Sequence, residues 1–307
     1  MTLKLEDTDV LCGRAIQYYE GDDVAKDFGE ALRLFTLAAE RGHAIGQLFV
    51  GLMLAYGKGI EVNLAMAVKW FLLAADQGEA LAQCELGEVY KYGRGAPQDY
   101  EDAVKWYRLA AAQGFADAQC KLGGMYKKGR GVAQDDTEAV KWYRMAAEQD
   151  NPVAQRFLGL AYQLGKGVTI DLTEALKWFT QAAALDDAAA MYYIGLLYTE
   201  GEVVRQDIEE ARVWFRLAAE EGEVDAQYSL GVMYECGDGV MQDYDEALQW
   251  YLMAAEQGYG DAQFRLGMMY KEGLGVEEDE AEAVMYLWLA ADKGNENAQE
   301  MLDSMEM

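Results

Sequence analysis

One histidine, His43, and four cysteines, Cys12, Cys84, Cys120 and Cys236, are the only bases, thiol nucleophiles or soft metal ligands of those types in 307 residues. A Ser–His–Asp or Cys–His relay needs a base held against its nucleophile, so any such relay here has to recruit His43. No cysteine cluster flanks that histidine, which argues against zinc. The cysteines show no paired spacing, so no disulfide framework is expected and a reducing compartment fits. Carboxylate pairs are abundant: Asp27/Glu30, Asp99/Asp102, Asp135/Glu138, Asp171/Glu174, Asp207/Glu210, Asp243/Glu246 and Asp279/Glu282. An Asp with an acid three residues on suits a helix start, where the first side chain caps and the second sits at the positive end of the dipole. Gly-x-Gly turns such as Gly57/Gly59, Gly93/Gly95 and Gly129/Gly131 could cradle a phosphate. They lack a preceding strand and recur at a fixed interval, so helix termination explains them better. The expectation is a protein without catalytic residues, metal or cofactor.

That interval is the strongest signal in the chain. Ala82-Gln83, Ala118-Gln119, Ala154-Gln155, Ala226-Gln227, Ala262-Gln263 and Ala298-Gln299 lie on a 36-residue grid, with Gly46-Gln47 and Ala190-Met191 in the two other steps. A glycine follows (Gly51, Gly87, Gly123, Gly159, Gly195, Gly231, Gly267), and three residues later a tyrosine from Tyr90 to Tyr270. After the Gly-x-Gly and the capping Asp come an Ala and, three residues on, Trp70, Trp106, Trp142, Trp178, Trp214 or Trp250. An Ala-Ala pair and a glycine close the unit, with Asp150 and Asp186 as less comfortable substitutes for that glycine. The spacings of three and four place these residues on one face of each of two antiparallel helices. A unit this small cannot bury its apolar face alone, so neighbouring units must stack. The Trp column reads as core rather than as a stacking platform.

The pattern Ala-Gln-x-x-Leu-Gly-x-x-Tyr-x-x-Gly-x-Gly-Val, then Asp-x-x-x-Ala-x-x-Trp and Ala-Ala-x-x-Gly, resembles the Sel1-like repeat, a relative of the tetratricopeptide repeat. The resemblance covers residues 10 to 307. It implies an all-α, right-handed α-solenoid of eight 36-residue helix-turn-helix repeats (10–45, 46–81, 82–117, 118–153, 154–189, 190–225, 226–261, 262–297) with a capping helix at 298–307, as one domain over 1–307. Pro152 suits the first turn of a helix. Some bacterial relatives carry a disulfide in each repeat; this chain lacks that pattern.

Net charge is −28, which disfavours duplex nucleic acid and anionic membrane as partners. Residues 1–153 hold 17 Lys/Arg against 23 Asp/Glu, a net −6; residues 154–307 hold 9 against 31, a net −22. A basic partner would be steered to the C-terminal half, although solubility of a long array also calls for charge. No run is long and apolar enough to span a membrane, and Met1 to Val10 has no secretory pattern. The expected location is the cytoplasm, or the periplasm if a leader has been removed.

In tetratricopeptide arrays the first helices line a concave face. Carried over, the groove positions in the middle of the chain are Lys91, Tyr92, Lys127 and Lys128, a basic stretch that would meet an acidic segment or a carboxylate. Further on they are Arg156, Leu160, Tyr192, Leu196, Tyr228, Val232, Phe264 and Met268, with Tyr192, Tyr228 and Phe264 as apolar anchors. The four cysteines fall on groove positions and read as small apolar liners. The competing reading is that curvature buries all these side chains against one another. The functional expectation is a non-enzymatic scaffold or adaptor that binds a peptide or protein in its groove. Two alternatives stand beside it: a bacterial immunity or regulatory protein that binds one toxin or enzyme, and an engineered, consensus-like array with no natural partner.

Overall fold

The computed structural model describes residues 7–305, and these form helices and turns with no strand. The chain is organised as two compact units, Met1–Ala154 with Lys166–Val168, and Gln155–Gly165 with Thr169–Met307. In the first unit lie α1 (Thr8–Glu20), α2 (Phe28–Glu40), α3 (Ala44–Tyr56), α4 (Leu64–Asp76), α5 (Ala80–Tyr92), α6 (Tyr100–Ala112), α7 (Ala116–Lys128) and α8 (Asp136–Ala147). After α9 (Pro152–Leu164) come, in the second unit, α10 (Leu172–Ala183), α11 (Ala188–Glu200), α12 (Ile208–Glu220), α13 (Val224–Cys236), α14 (Tyr244–Glu256), α15 (Gly260–Glu272), α16 (Glu280–Asp292) and α17 (Glu296–Met305). From α1 to α8 in the first unit and from α10 to α17 in the second, each helix packs on its neighbours in sequence, the arrangement of an all-α solenoid. The first helices begin at 44, 80 and 116, two residues ahead of the Ala-Gln grid, because their N-cap column has no constant residue type: His43, Glu79 and Phe115 occupy it in turn.

The core repeats with the sequence. Ala31, Phe35, Ala38 and Ala39 of α2 are buried, and the same register is buried in α4, α6 and α8. The deepest aromatic is not the tryptophan but the residue after it: Phe71, Tyr107, Phe179 and Tyr251 have at most 1% of their surface exposed. Trp178 and Trp250 are buried, whereas Trp70, Trp106, Trp142 and Trp214 stay half-buried at the edge of the core. This also explains the helical glycine. A Cβ on Gly51 would lie 2.6 Å from the Phe71 ring, so the aromatic of the second helix occupies the space that a side chain would need.

Turns are closed by two different glycines. The first of each Gly-x-Gly adopts the left-handed conformation and ends the helix, as Gly93 does at φ 69° with its N–H on the Val89 carbonyl. The second is a packing position: a Cβ on Gly95 would lie 2.6 Å from the Leu64 carbonyl oxygen of the preceding repeat. Asp150 and Asp186 take the left-handed conformation at φ 58° and 60°, as their place in the glycine column requires.

The Asp caps form as expected; Asp99 accepts from the N–H groups of Glu101 and Asp102 at 2.9 and 3.0 Å. The reciprocal half of a capping box does not. The Asp99 N–H instead donates to the Tyr90 carbonyl at 2.8 Å, and Asp27, Asp135 and Asp243 do the same to Tyr18, Tyr126 and Tyr234. The acid three residues on is thereby free to pair forward along its helix, as Asp102 does with Lys105 at 2.7 Å and Glu138 with Lys141 at 2.8 Å. At the far end, α17 packs on α16 and buries Ala298 and Leu302, the expected cap.

Candidate functional site

Glutamine, the residue that marks the repeat, does structural work. Gln119 is 1% exposed. Its amide donates to the Ala111 carbonyl at the end of α6 (3.2 Å), and its oxygen accepts from Gln149 (2.8 Å). The Ala111 carbonyl also accepts from the Gly114 N–H at 3.0 Å, so the side chain adds a second bond there and ties the helix end to the next repeat. The same pairs occur as Gln77–Gln47, Gln113–Gln83 and Gln257–Gln227. Nothing in the Ala-Gln recurrence itself says which atoms it satisfies.

The groove column two residues after each repeat's Ala is a seam between repeats. Three of its members meet the N-cap of the next first helix. Cys12 Sγ lies 3.2 Å from His43 Nδ1, Arg156 Nε donates to Asp187 at 2.8 Å, and the rings of Tyr228 and Tyr259 are 5.1 Å apart. A carboxylate three residues earlier completes the seam: Asp9 meets His43 Nε2 at 2.8 Å, Asp117 accepts from Asn151 at 2.7 Å, and Asp225 hydrogen-bonds Tyr259. Cys12, His43 and Asp9 thus stand in the order of nucleophile, base and orienting acid. Two observations assign them to the seam instead. Burial, with Asp9 adding to it, pushes the Cys12 thiol up to about 11, so it is not a thiolate at neutral pH. The same register also holds Cys120, Asn151 and Asp117 in another repeat, where no base is present.

In the second unit the seam absorbs most of the aromatic candidates. Tyr192 packs on Phe215 at 5.5 Å and hydrogen-bonds Ser229; its hydroxyl is pushed up by burial. Tyr228 packs on Tyr251 at 5.7 Å and hydrogen-bonds Arg265, which also reaches Glu235 at 3.3 Å. Leu160 and Leu196 pack on one core cluster, Val232 on another, and Phe264 on Leu287, Ala298 and Leu302. Met268 is half-buried. Among the cysteines, Cys12, Cys84 and Cys120 are buried and Cys236 is exposed.

In the first unit the first helices leave a cavity of about 250 Å³. Its floor is apolar, with Ala67, Phe71, Leu81 and Cys84, and its rim holds Tyr56, Glu85, Glu88, Arg94, Asp117 and Lys121. Glu88 is the hub. It accepts from the Tyr107 hydroxyl at 2.5 Å and lies 3.1 Å from Lys121 and 3.7 Å from Lys91. Burial opposes its charge, but Tyr107 and the two lysines outweigh that and hold its carboxyl below the ordinary range. Glu85 goes the other way: burial and the Glu88 charge raise it, against a Tyr56 hydrogen bond and Lys121. Burial pushes the Cys84 thiol up to about 12, leaving a neutral liner. Lys91 lies over the Tyr92 ring at 4.6 Å, and Arg94 meets the same exposed ring at 5.0 Å. Lys127 is half-buried and Lys128 exposed at the end of α7. The structure therefore joins Lys91, through Glu88, to a pocket rimmed by Tyr56, Glu85, Glu88 and Lys121; Glu88 and Tyr56 lie in the expected groove columns six and ten residues after the repeat's first position, whereas Glu85 and Lys121 lie three residues after it, outside them. Their columns change residue type along the chain, with no residue held constant, so recurrence does not single them out.

Comparison with known proteins agrees with this register. The Sel1 repeat profile matches residues 12–43, 44–79, 80–115, 116–151, 152–187, 188–223, 224–259 and 260–295. The chain belongs to the Sel1 repeat family. A Sel1 repeat protein from Oxalobacter formigenes is 34% identical, with a TM-score of 0.76 over 97% of this chain and 86% of its own. A protective antigen of uropathogenic Escherichia coli is 31% identical, with a TM-score of 0.70 over 97% and 72% of the two chains. An immunity protein of Pseudomonas aeruginosa shares the fold at 21% identity, with a TM-score of 0.50 over 71% and 82%. No curated protein matches the chain in sequence. Sel1 repeat proteins mediate protein–protein interaction, and the two well-covered relatives are bacterial. Among the described residues of this Sel1 array no helix is long and apolar enough to cross a membrane, and no group of three His, Cys, Asp or Glu side chains is placed to hold a metal.

Proposed function

We propose that this Sel1 array is a non-enzymatic adaptor that holds a segment of a protein partner along its first-helix face, with the first unit's pocket seating one side chain of that segment. The pocket carries the reading. An apolar floor under a rim of both charge signs suits a side chain with an apolar stem and a polar tip, and the volume matches one such group. The aromatic column of the second unit supports it less, since Tyr192 and Tyr228 are already packed in the seam. The rim residues Tyr56 and Arg94 are exposed, so their removal leaves the core intact. A Tyr56→Ala/Arg94→Ala variant is expected to keep the wild-type circular dichroism and melting temperature while losing the partner captured by wild type from its source lysate. A partner retained by the variant moves the site away from the pocket.

A second reading is an inhibitor of one basic toxin or enzyme. The net −22 of residues 154–307 favours it. It requires the captured partner to be a basic toxin or enzyme that loses activity when bound.

A further inference from the structure

The outward register of the second helices changes between the two ends of the chain. One position carries Arg33, Lys69, Lys105, Lys141 and Lys177 in the first five repeats, and Val213, Gln249 and Met285 in the last three. Four residues further on, an exposed Leu or Met recurs in both parts, as Leu73, Leu109 and Met145 and again as Leu217, Met253 and Leu289. In the early repeats the cation borders that apolar side chain with charge and, except for Lys69, which follows Met66, is tied to the acid three residues before it. In the late repeats the border is gone, and α16 adds Trp288, which is 57% exposed.

Consecutive second helices of the second unit lie side by side. Arg216 of α12 reaches Glu246 of α14 at 3.5 Å and stands over the Trp250 ring at 5.8 Å. At the helix ends, a Cβ on Gly258 would lie 3.7 Å from Lys293. Val213, Leu217, Met253, Met285, Trp288 and Leu289 therefore form one apolar face across α12, α14 and α16, each at least 40% exposed. Exposed apolar side chains grouped in this way mark an interaction surface. The charge around them is mainly acidic, with Arg212 and Arg216 of α12 engaged by Glu209 and Glu246. Neither α14 nor α16 contains a Lys or Arg, while Glu209, Glu220, Asp245, Glu256, Glu280 and Asp292 are all exposed on the three helices. A second copy of the same acidic face is repelled, and so is an anionic membrane.

We propose that this face docks a basic amphipathic helix of a protein partner, its apolar side on Val213, Met285 and Trp288 and its Lys/Arg flanks on the surrounding acids. Helices packed about 8–10 Å apart make three of them a platform of roughly 20–30 Å, the length of a helix of about 15–20 residues. The site is separate from the pocket of the first unit, so either proposal can fail alone.

The test uses a fluorescent Leu/Lys amphipathic helical peptide and a peptide of the same composition scrambled to have no apolar face. At about 0.15 M salt, where long-range charge effects are screened, anisotropy should show the amphipathic peptide binding at least tenfold tighter than the scramble. The charge-neutral Val213→Gln/Met285→Gln/Trp288→Gln variant should lose at least tenfold of that affinity. Leu73→Gln/Leu109→Gln/Met145→Gln should stay within twofold, with circular dichroism confirming that both are folded. Equal binding of the two peptides, or equal loss in the two variants, overturns the proposal in favour of charge alone. So does a wild-type dimer in sedimentation that the first triple variant abolishes, because the occupant is then a second copy.

Discussion

Each unit repeats the same core packing, and the two differ in the polar links that join their repeats. Phe71 in the first and Phe179 in the second fill the same place against the same glycine column, with 1% and 0% of their surfaces exposed. The glutamine ladder, by contrast, is made three times in the first unit, by Gln77–Gln47, Gln113–Gln83 and Gln149–Gln119. In the second it is made by Gln257–Gln227; Met191 takes the glutamine position in one repeat, and Lys293 stands where the partner of Gln263 belongs. The Gln263 oxygen, buried, has no hydrogen-bond partner among the described residues. Ion pairs and tyrosines, such as Arg156–Asp187 and Arg265–Glu235, replace the lost links. Each repeat must stack on the next with the same aromatic-over-glycine fit, so that fit is repeated. Polar seams need only be satisfied, and many residue combinations do that. The divergent columns are accordingly where partner recognition can be built.

The largest expected effect tests the shared part. Phe71→Ala and Phe179→Ala should each destabilise by about 3–5 kcal/mol, since each leaves a large cavity beneath a glycine that cannot fill it. Urea unfolding that finds one of them nearly neutral breaks the equivalence of the two cores. Next comes the ladder. Gln119→Leu should cost about 2 kcal/mol, because two hydrogen bonds are lost, although the Ala111 carbonyl keeps the Gly114 N–H and the Gln149 amide keeps the Met145 carbonyl. Gln263→Leu should cost about half as much, as it makes only the bond to Ala255 and removes an unpaired oxygen. Equal losses would show that the ladder is not the source of the difference.

The smallest effect is a pH dependence, on the order of 1 kcal/mol. Glu85 is raised in the fold, so its ionisation weakens the native state as pH climbs from the ordinary carboxylate value through the folded one. Glu85→Gln should be more stable than wild type at pH 7 and lose that advantage near pH 4. Glu88 is held low, so its stabilisation is present above the ordinary carboxylate range and disappears as pH falls through the folded value. Glu88→Gln should therefore be less stable at pH 7 and converge with wild type in acid. In the second unit Glu223, raised by burial and by Asp225, should behave like Glu85. Melting temperatures across pH 2 to 7 decide this, and a flat Glu85→Gln difference would remove the electrostatic account of the pocket.

The recurrent residues specified the helices, the Asp caps, the left-handed Asp150 and Asp186, and the terminal cap, because those features depend on local backbone chemistry that each residue type carries with it. Recurrence also pointed to the Trp column, but only three-dimensional packing shows that the residue after it sits deepest, since one step along a helix turns a side chain by about 100° and decides core against edge. What recurrence could not carry is the meaning of positions that vary. That Cys12 meets His43, that Tyr228 meets Tyr259, and that Tyr56, Glu85, Glu88 and Lys121 share one pocket follows from helices packed 30 or so residues apart. Contacts across that distance are set by how one repeat sits on the next, and burial then decides which of the charged groups keeps its charge.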